Sequence, residues 1–157
     1  MEWYLYETKE YKLHFPGKPV EETRTINYDF GELKLTAHIF QVGDTSSYDN
    51  LLFGILETEY PESVIQFTNK ASLDTFFSKS IDGAVAQVHG KLISKKNITK
   101  GKFPGREINI DYGEGQLVIT MRLYLVNKMM YQLQTISKPS KTPNKLTDKF
   151  MDSFTLK

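Results

Sequence analysis

The sequence predicts an α+β fold: one domain over residues 1–157, with an antiparallel β-sheet sandwiched between a long central helix and a C-terminal helix in three layers. Three observations predict it. Apolar residues alternate with polar ones through several short segments between Trp3 and Tyr60 and again from Phe103 to Ile136, the period of strands that bury one face. Leu73, Phe76, Phe77, Ile81, Ala84, Val85 and Val88 recur at steps of three and four, which places them on one face of a helix. Leu146, Phe150 and Phe154 then recur at steps of four behind Thr142-Pro143-Asn144.

In chain order, strands are expected at Trp3–Tyr6 and Tyr11–Phe15, followed by a type II turn in which Pro16 fixes one φ and Gly17 accepts the positive one. Further strands are expected at Glu22–Tyr28 and Leu33–Val42, joined by a turn around Phe30-Gly31-Glu32, with a loop over Gly43–Asn50 and a strand over Leu51–Tyr60 that Pro61 ends. Connections this short favour an antiparallel meander. Asn69 or Ser72 can cap the long helix and Gly90 can end it. Gly83 inside it costs about 1 kcal/mol relative to alanine and marks a close approach to a strand. The aromatic and aliphatic stripe could line a ligand groove, but packing on a sheet accounts for it and is the preferred reading. Thr142 is the expected cap of the last helix, with Pro143 at its first position.

The last third fixes a register. A hairpin whose loop is either Glu114-Gly115 or Gly113–Gln116 sets Tyr112 opposite Leu117, Ile110 opposite Ile119 and Ile108 opposite Met121 on a wholly apolar face. The other face then sets Asn109 opposite Thr120 and Glu107 opposite Arg122, a carboxylate across from a guanidinium. A slip of one residue mixes the faces. A tight turn at Asn127-Lys128 continues the meander and sets Tyr124 opposite Tyr131. Leu117–Val126 is apolar at nearly every position, so it is a central strand covered on both sides, and Arg122 is a buried cation that needs Glu107 as its partner. The pair is read as structural, with an anion receptor as the alternative.

Composition narrows the function classes. With 39% apolar and 25% charged residues the chain is an ordinary globular one. No apolar run approaches the roughly 20 residues of a helical membrane span. The absence of cysteine excludes disulfides, thiol catalysis, cysteine zinc sites and a lipidated cysteine anchor within residues 1–157. The chain begins Met1-Glu2-Trp3-Tyr4 without a basic and then apolar leader, which leaves a cytoplasmic location, or an exported or periplasmic one if a leader has been removed.

Net charge is +1, but residues 1–62 sum to −7 and residues 63–157 to +8. Lys91, Lys95, Lys96, Lys100 and Lys102, in a connection that runs on to Arg106 without an acid, form the candidate partner surface. If strands of the two halves interleave in one sheet, the field largely cancels, and that reading is preferred. The lysines lack interleaved aromatics, so nucleic acid is not the expected partner.

Chemistry-bearing residues are sparse. His14, His38 and His89 show no metal-ligand spacing and read as isolated. Glu57 and Glu59 share one strand face and read as a solvated edge, although calcium binding or acid–base work is conceivable. Gly113-Glu114-Gly115 opens no helix and is no phosphate loop. No catalytic, metal or cofactor residue is assigned, and no enzyme is expected.

Four blocks carry a resemblance: FPGKP at Phe15–Pro19, FPGRE at Phe103–Glu107, RLYLVNKMMYQL at Arg122–Leu133 and FMDSF at Phe150–Phe154. Together they resemble small bacterial proteins of unknown function in the superfamily shared by PsbP, an extrinsic photosystem II protein, and the yeast Ran-binding nuclear import factor. The resemblance spans nearly the whole chain. It implies an α/β/α fold on an antiparallel sheet, non-enzymatic protein binding and, among bacterial members, frequent export. The photosystem-docking segments and the Ran-binding surface have no matching residues here, so neither partner and no binding residue carries over. The expected function is a non-catalytic module, monomeric or weakly dimeric, that binds an unidentified protein or other macromolecule. The alternative is a small-molecule carrier with a pocket between the sheet and the helix of Phe76, Phe77 and Ile81.

Overall fold

The computed structural model describes residues 2–28, 31–43 and 49–157, and among them the alternating segments form ten strands and the two helical stripes form two α-helices. The strands are β1 (Tyr4–Glu7), β2 (Tyr11–Phe15), β3 (Val20–Tyr28), β4 (Gly31–Gln41), β5 (Asn50–Glu59), β6 (Lys91–Lys100), β7 (Phe103–Tyr112), β8 (Leu117–Val126), β9 (Met129–Ser137) and β10 (Thr155–Leu156); the helices are α1 (Lys70–Gln87) and α2 (Lys145–Asp152). Every strand pair is antiparallel. Seven strands form one sheet in the order β3-β4-β5-β9-β8-β7-β6, and β1-β2-β10 form a separate small one.

The C-terminal hairpins adopt the pairing that side-chain pattern requires. Glu107 stands opposite Arg122, Ile110 opposite Ile119 and Tyr124 opposite Tyr131. The loop is the longer alternative, Gly113–Gln116, in which Gly113, Glu114 and Gly115 all have positive φ and Asp111 Oδ1 accepts from the Gly115 N–H at 2.8 Å. The alternation of β8 then sorts the core into two clusters. Leu123 and Leu125 pack with Ile108, Ile110 and Met130 beneath Phe77 and Ile81 of α1. On the other face, Tyr124, Tyr131 and Leu133 pack beneath Tyr11, Leu13 and Phe15 of β2 and Phe150 of α2.

Several expectations are corrected. The first two strands do not begin the large meander; they fold over its second face and, with α2, make that layer a mixture of sheet and helix. Only eight residues of that cover are helical, because Asn144, not Thr142, caps α2: its side chain accepts from the Thr147 N–H at 2.9 Å, and Pro143 precedes the helix behind a cis peptide bond. Gly17 does not take the positive φ of a type II turn; a Cβ there would press on the Phe40 ring at 2.9 Å. The long helix is capped as expected, by a reciprocal pair of Asn69 and Ser72, but it ends at Gln87, and His89 rather than Gly90 takes the left-handed conformation. Gly90 is required for space, since a Cβ would lie 2.6 Å from the Asp111 carbonyl. Residues 91–102 are no connection: all but the last two form β6, the edge strand. Of the turn expected at Phe30-Gly31-Glu32, Phe30 lies outside the described residues, as do residues 44–48 of the expected loop.

The two charge halves do not interleave. The acidic half supplies β3-β4-β5 at one end of the sheet, and the basic half supplies β9-β8-β7-β6 at the other.

Candidate functional site

Where α1 lies is decided at one end of the sheet. Phe77 is fully buried and Ile81 nearly so, both against the apolar face of β7 and β8. Arg106 pins the same region: its guanidinium sits 4.3 Å above the Phe77 ring, donates to Asp74 Oδ1 at 2.6 Å and to the Gly105 carbonyl at 2.8 Å. An Arg side chain held by an ion pair, a carbonyl and an aromatic face has few other places to go. Arg106 therefore belongs to the helix–sheet joint and not to a basic surface.

Because α1 is tied to β7, it does not cover the same face over β4, β5 and β9. A groove of about 770 Å³ opens between the helix and those strands. Leu35 and Leu56 give it an apolar floor at the far side, and Phe76 and Ala84 form the helical wall. In the middle of the floor stand Gln132 and Gln134, alternate residues of β9 that share this face with Met130 and Ile136. Among the described residues neither carboxamide has a hydrogen-bond partner. Lys79 is the one charged side chain in the lining formed by the described residues.

Gly83 opens the wall. It was expected to mark a close helix–strand approach, but a Cβ added there meets nothing within 4 Å. The missing side chain widens the groove instead. The stripe preferred as core on sequence grounds has two uses: Phe77 and Ile81 are buried in the core, while Phe76, Ala84 and Val88 pack at its edge and also line the groove.

The candidate surface lysines separate into two kinds. Lys96 Nζ lies 3.5 Å from Glu107, Lys100 Nζ lies 5.6 Å from the centroid of the Phe154 ring, and Lys102 Nζ lies 5.4 Å from that of Phe103. Lys91 and Lys95, both exposed on β6, have no ion pair among the described residues. Arg122 Nε donates to Glu107 Oε2 at 2.8 Å, and Nη1 donates to Asp152 Oδ1 of α2 at 3.0 Å, so the guanidinium joins two strands to a helix. Burial works against its charge and is outweighed by those carboxylates, which hold it above the usual guanidinium range.

Sequence reasoning missed the two glutamines, although their spacing in an otherwise apolar strand was a usable signal: two amides facing the same covered side demand partners. It also placed Glu57 on a solvated edge. β5 is an interior strand, and the Glu57 side chain is only 17% exposed, beside His38.

No protein-family profile and no curated protein sequence matches this chain. Two solved structures are similar in backbone course. A Pseudomonas aeruginosa protein of unknown function, PA94, described as a putative regulator, aligns with 12% identity over 78% of this chain and 87% of its own, at a TM-score of 0.49. The solution structure of cyanobacterial PsbP (CyanoP) from Synechocystis sp. PCC 6803 aligns with 10% identity over 99% of this chain and 92% of its own, at a TM-score of 0.59. Two helices on antiparallel sheets, matched end to end in that course, make this a PsbP-like fold.

Proposed function

We propose that the protein is a non-catalytic carrier whose groove between α1 and the sheet binds a small amphipathic molecule. The observation that carries the reading is a conjunction in one groove: about 770 Å³ of open space whose lining mixes apolar side chains such as Leu35, Leu56 and Phe76 with hydroxyls and amides, among them the unpaired carboxamides of Gln132 and Gln134 on the floor. Volumes of roughly 300–1,000 Å³ lined by apolar groups with a few placed polar ones are typical of small-molecule sites. With Lys79 as the one charged group the described lining offers, the ligand is uncharged or carries a single negative charge, and its polar part presents hydroxyl, carbonyl or amide groups to Gln132 and Gln134.

Gly83 supplies the test. Phenylalanine at this position places its ring in the groove without backbone strain, because Gly83 is helical and has open space beside it. Gly83→Phe is expected to remain folded while losing the binding of anilinonaphthalene sulfonate, an apolar monoanion used as probe. Gly83→Ala is expected to keep the binding and gain about 0.5–1 kcal/mol of stability through helix propensity. Equal dye fluorescence from the wild type and the folded Gly83→Phe variant removes the groove from consideration.

A second reading, a protein-binding module, is favoured by β6, an exposed edge strand on which Lys91 and Lys95 make no ion pair among the described residues. Reversal of both lysines to glutamate is expected to lose the partners that wild-type protein recovers from its host extract. Unchanged recovery of every partner counts against this surface.

A further inference from the structure

The large sheet ends in two open edges, β3 and β6, and they are built differently. An unpaired edge exposes a row of backbone N–H and C=O groups that a further strand can take up, and proteins protect such edges with lysines, prolines or bulges. β6 has two of these devices: Lys91, Lys95, Lys96 and Lys100 along its length, and a register shift between Leu92 and Ser94 that leaves Ile93 out of the ladder. β3 has none. Its nine residues, Val20–Tyr28, include no lysine or proline and pair with β4 without interruption, from Val20 opposite Ile39 to Tyr28 opposite Gly31. Both of its faces are open as well. From Val20 to Asn27 every side chain but Ile26 is exposed, and Val20 is 66% exposed although it is apolar.

The side chains of β3 are complementary to themselves. A two-fold axis normal to the sheet and passing through Thr23 sets a second copy of β3 antiparallel to the first, with like faces on the same side. On the face that carries the groove, Val20 then meets the partner's Ile26, and Glu22 meets the partner's Arg24. On the other face Glu21 meets the partner's Thr25, and Thr23 meets the partner's Thr23. Apolar, opposite-charge and threonine pairs all stabilise neighbouring antiparallel strands. The adjacent registers lack this match: an axis through Glu22 sets two carboxylates face to face, and one through Arg24 sets two guanidinium groups face to face. Within one chain Arg24 Nη2 already donates to Glu22 Oε2 at 3.0 Å. A guanidinium has donors enough to keep that contact and reach the partner's Glu22 as well, so the four charges alternate around the axis.

We propose that β3 is the interface of a symmetric dimer of this chain, in which two seven-stranded sheets join edge to edge. The exposed Val20 then lies in a continuous apolar row that runs from Ile39 through Val20 to the partner's Ile26 and the partner's Leu33. The ion pairs stay near solvent, where they add little affinity, and their work is to fix the register. One strand pair buries less than the roughly 1,200 Å² of a stable complex, so the dimer is reversible and fills as protein concentration rises. Assembly stops at two copies, because both remaining edges are β6, where lysines face lysines. The proposal does not depend on what the groove binds.

Sedimentation of the full chain over a range of concentrations is expected to show a monomer–dimer equilibrium. Glu22→Arg alone and Arg24→Glu alone each turn both ion pairs into like-charge pairs, and each is expected to weaken dimerisation at least about tenfold. Both positions are exposed, so urea midpoints equal to that of the wild type confirm that the variants fold. Two restorations are specific to this register. A chain carrying both substitutions reverses the pairs at unchanged net charge and is expected to dimerise as the wild type does. An equimolar mixture of the two single variants brings opposite charges together at both pairs and is expected to form mixed dimers where neither variant dimerises alone. Backbone amides between Glu21 and Thr25 that face away from β4 are expected to exchange more slowly as the protein is concentrated. A chain that stays monomeric at every concentration overturns the proposal, as does a dimer that Glu22→Arg leaves intact or that Lys95→Glu dissolves in its place.

Discussion

Replacement of Gly105 by alanine is expected to cost about 3 kcal/mol, the upper end of what overpacking a core usually costs. Gly105 lies in β7 opposite Tyr124, and its φ is ordinary, so the penalty comes from contact and not from backbone conformation. A Cβ would stand 2.5 Å from the Leu123 carbonyl oxygen and 2.7 Å from the Tyr124 ring. The ring could turn, but the carbonyl belongs to β8, which is paired on both sides and has no freedom to withdraw. β7 must move away instead, and with it Arg106, which ties α1 to the sheet. Urea unfolding checks this: a midpoint displaced by the full amount with an unchanged slope is the expected result, and a midpoint equal to that of the wild type shows that the two strands separate freely.

Truncation of Phe150 to alanine is expected to cost about 3–5 kcal/mol, the range for a fully buried aromatic ring. Phe150 is 0% exposed, and its ring lies 5.2 Å from that of Phe15 and 5.5 Å from that of Phe53, between the small sheet and the large one. Against a total stability of about 5–15 kcal/mol this is a large share, so the variant is expected to melt well below the wild type and to expose the β1–β2 hairpin to protease first. Phe150→Leu keeps most of the volume and is expected to lose much less. Equal losses in the two variants show that the cost does not follow the volume removed and place it in the loss of the aromatic ring contacts with Phe15 and Phe53.

The C-terminal meander was legible because its faces differ so sharply that one register satisfies both. Glu107 opposite Arg122 follows from counting alone. The role of α1 was half legible: periodicity shows which residues share a face, but not how far that face extends beyond the sheet it packs on, and here Phe77 and Ile81 are buried in the core while Phe76 and Ala84 pack at its edge and also line the groove. Gly83 was misread for the same reason, since a missing side chain signals contact or space with equal force. β6 was illegible as a strand because an edge strand buries little, and Lys95 and Lys96 replace the apolar alternation that marks interior strands. The placement of Glu57 beside His38 could not be foreseen without the order of β4 and β5.

The order of the large sheet also has a kinetic meaning. Strands β3 to β5 pair with their neighbours in sequence, and so do β6 to β9, whereas the seam between β5 and β9 joins residues as distant as Asn50 and Ser137. Loop closure over that separation is slow compared with forming either hairpin set. The groove straddles this seam, with Leu56 on one bank and Gln132 and Gln134 on the other. A molecule held there has nothing to grip until the halves have met, so its effect falls on how slowly they part: the unfolding rate drops with occupancy while the folding rate stays where the empty chain sets it.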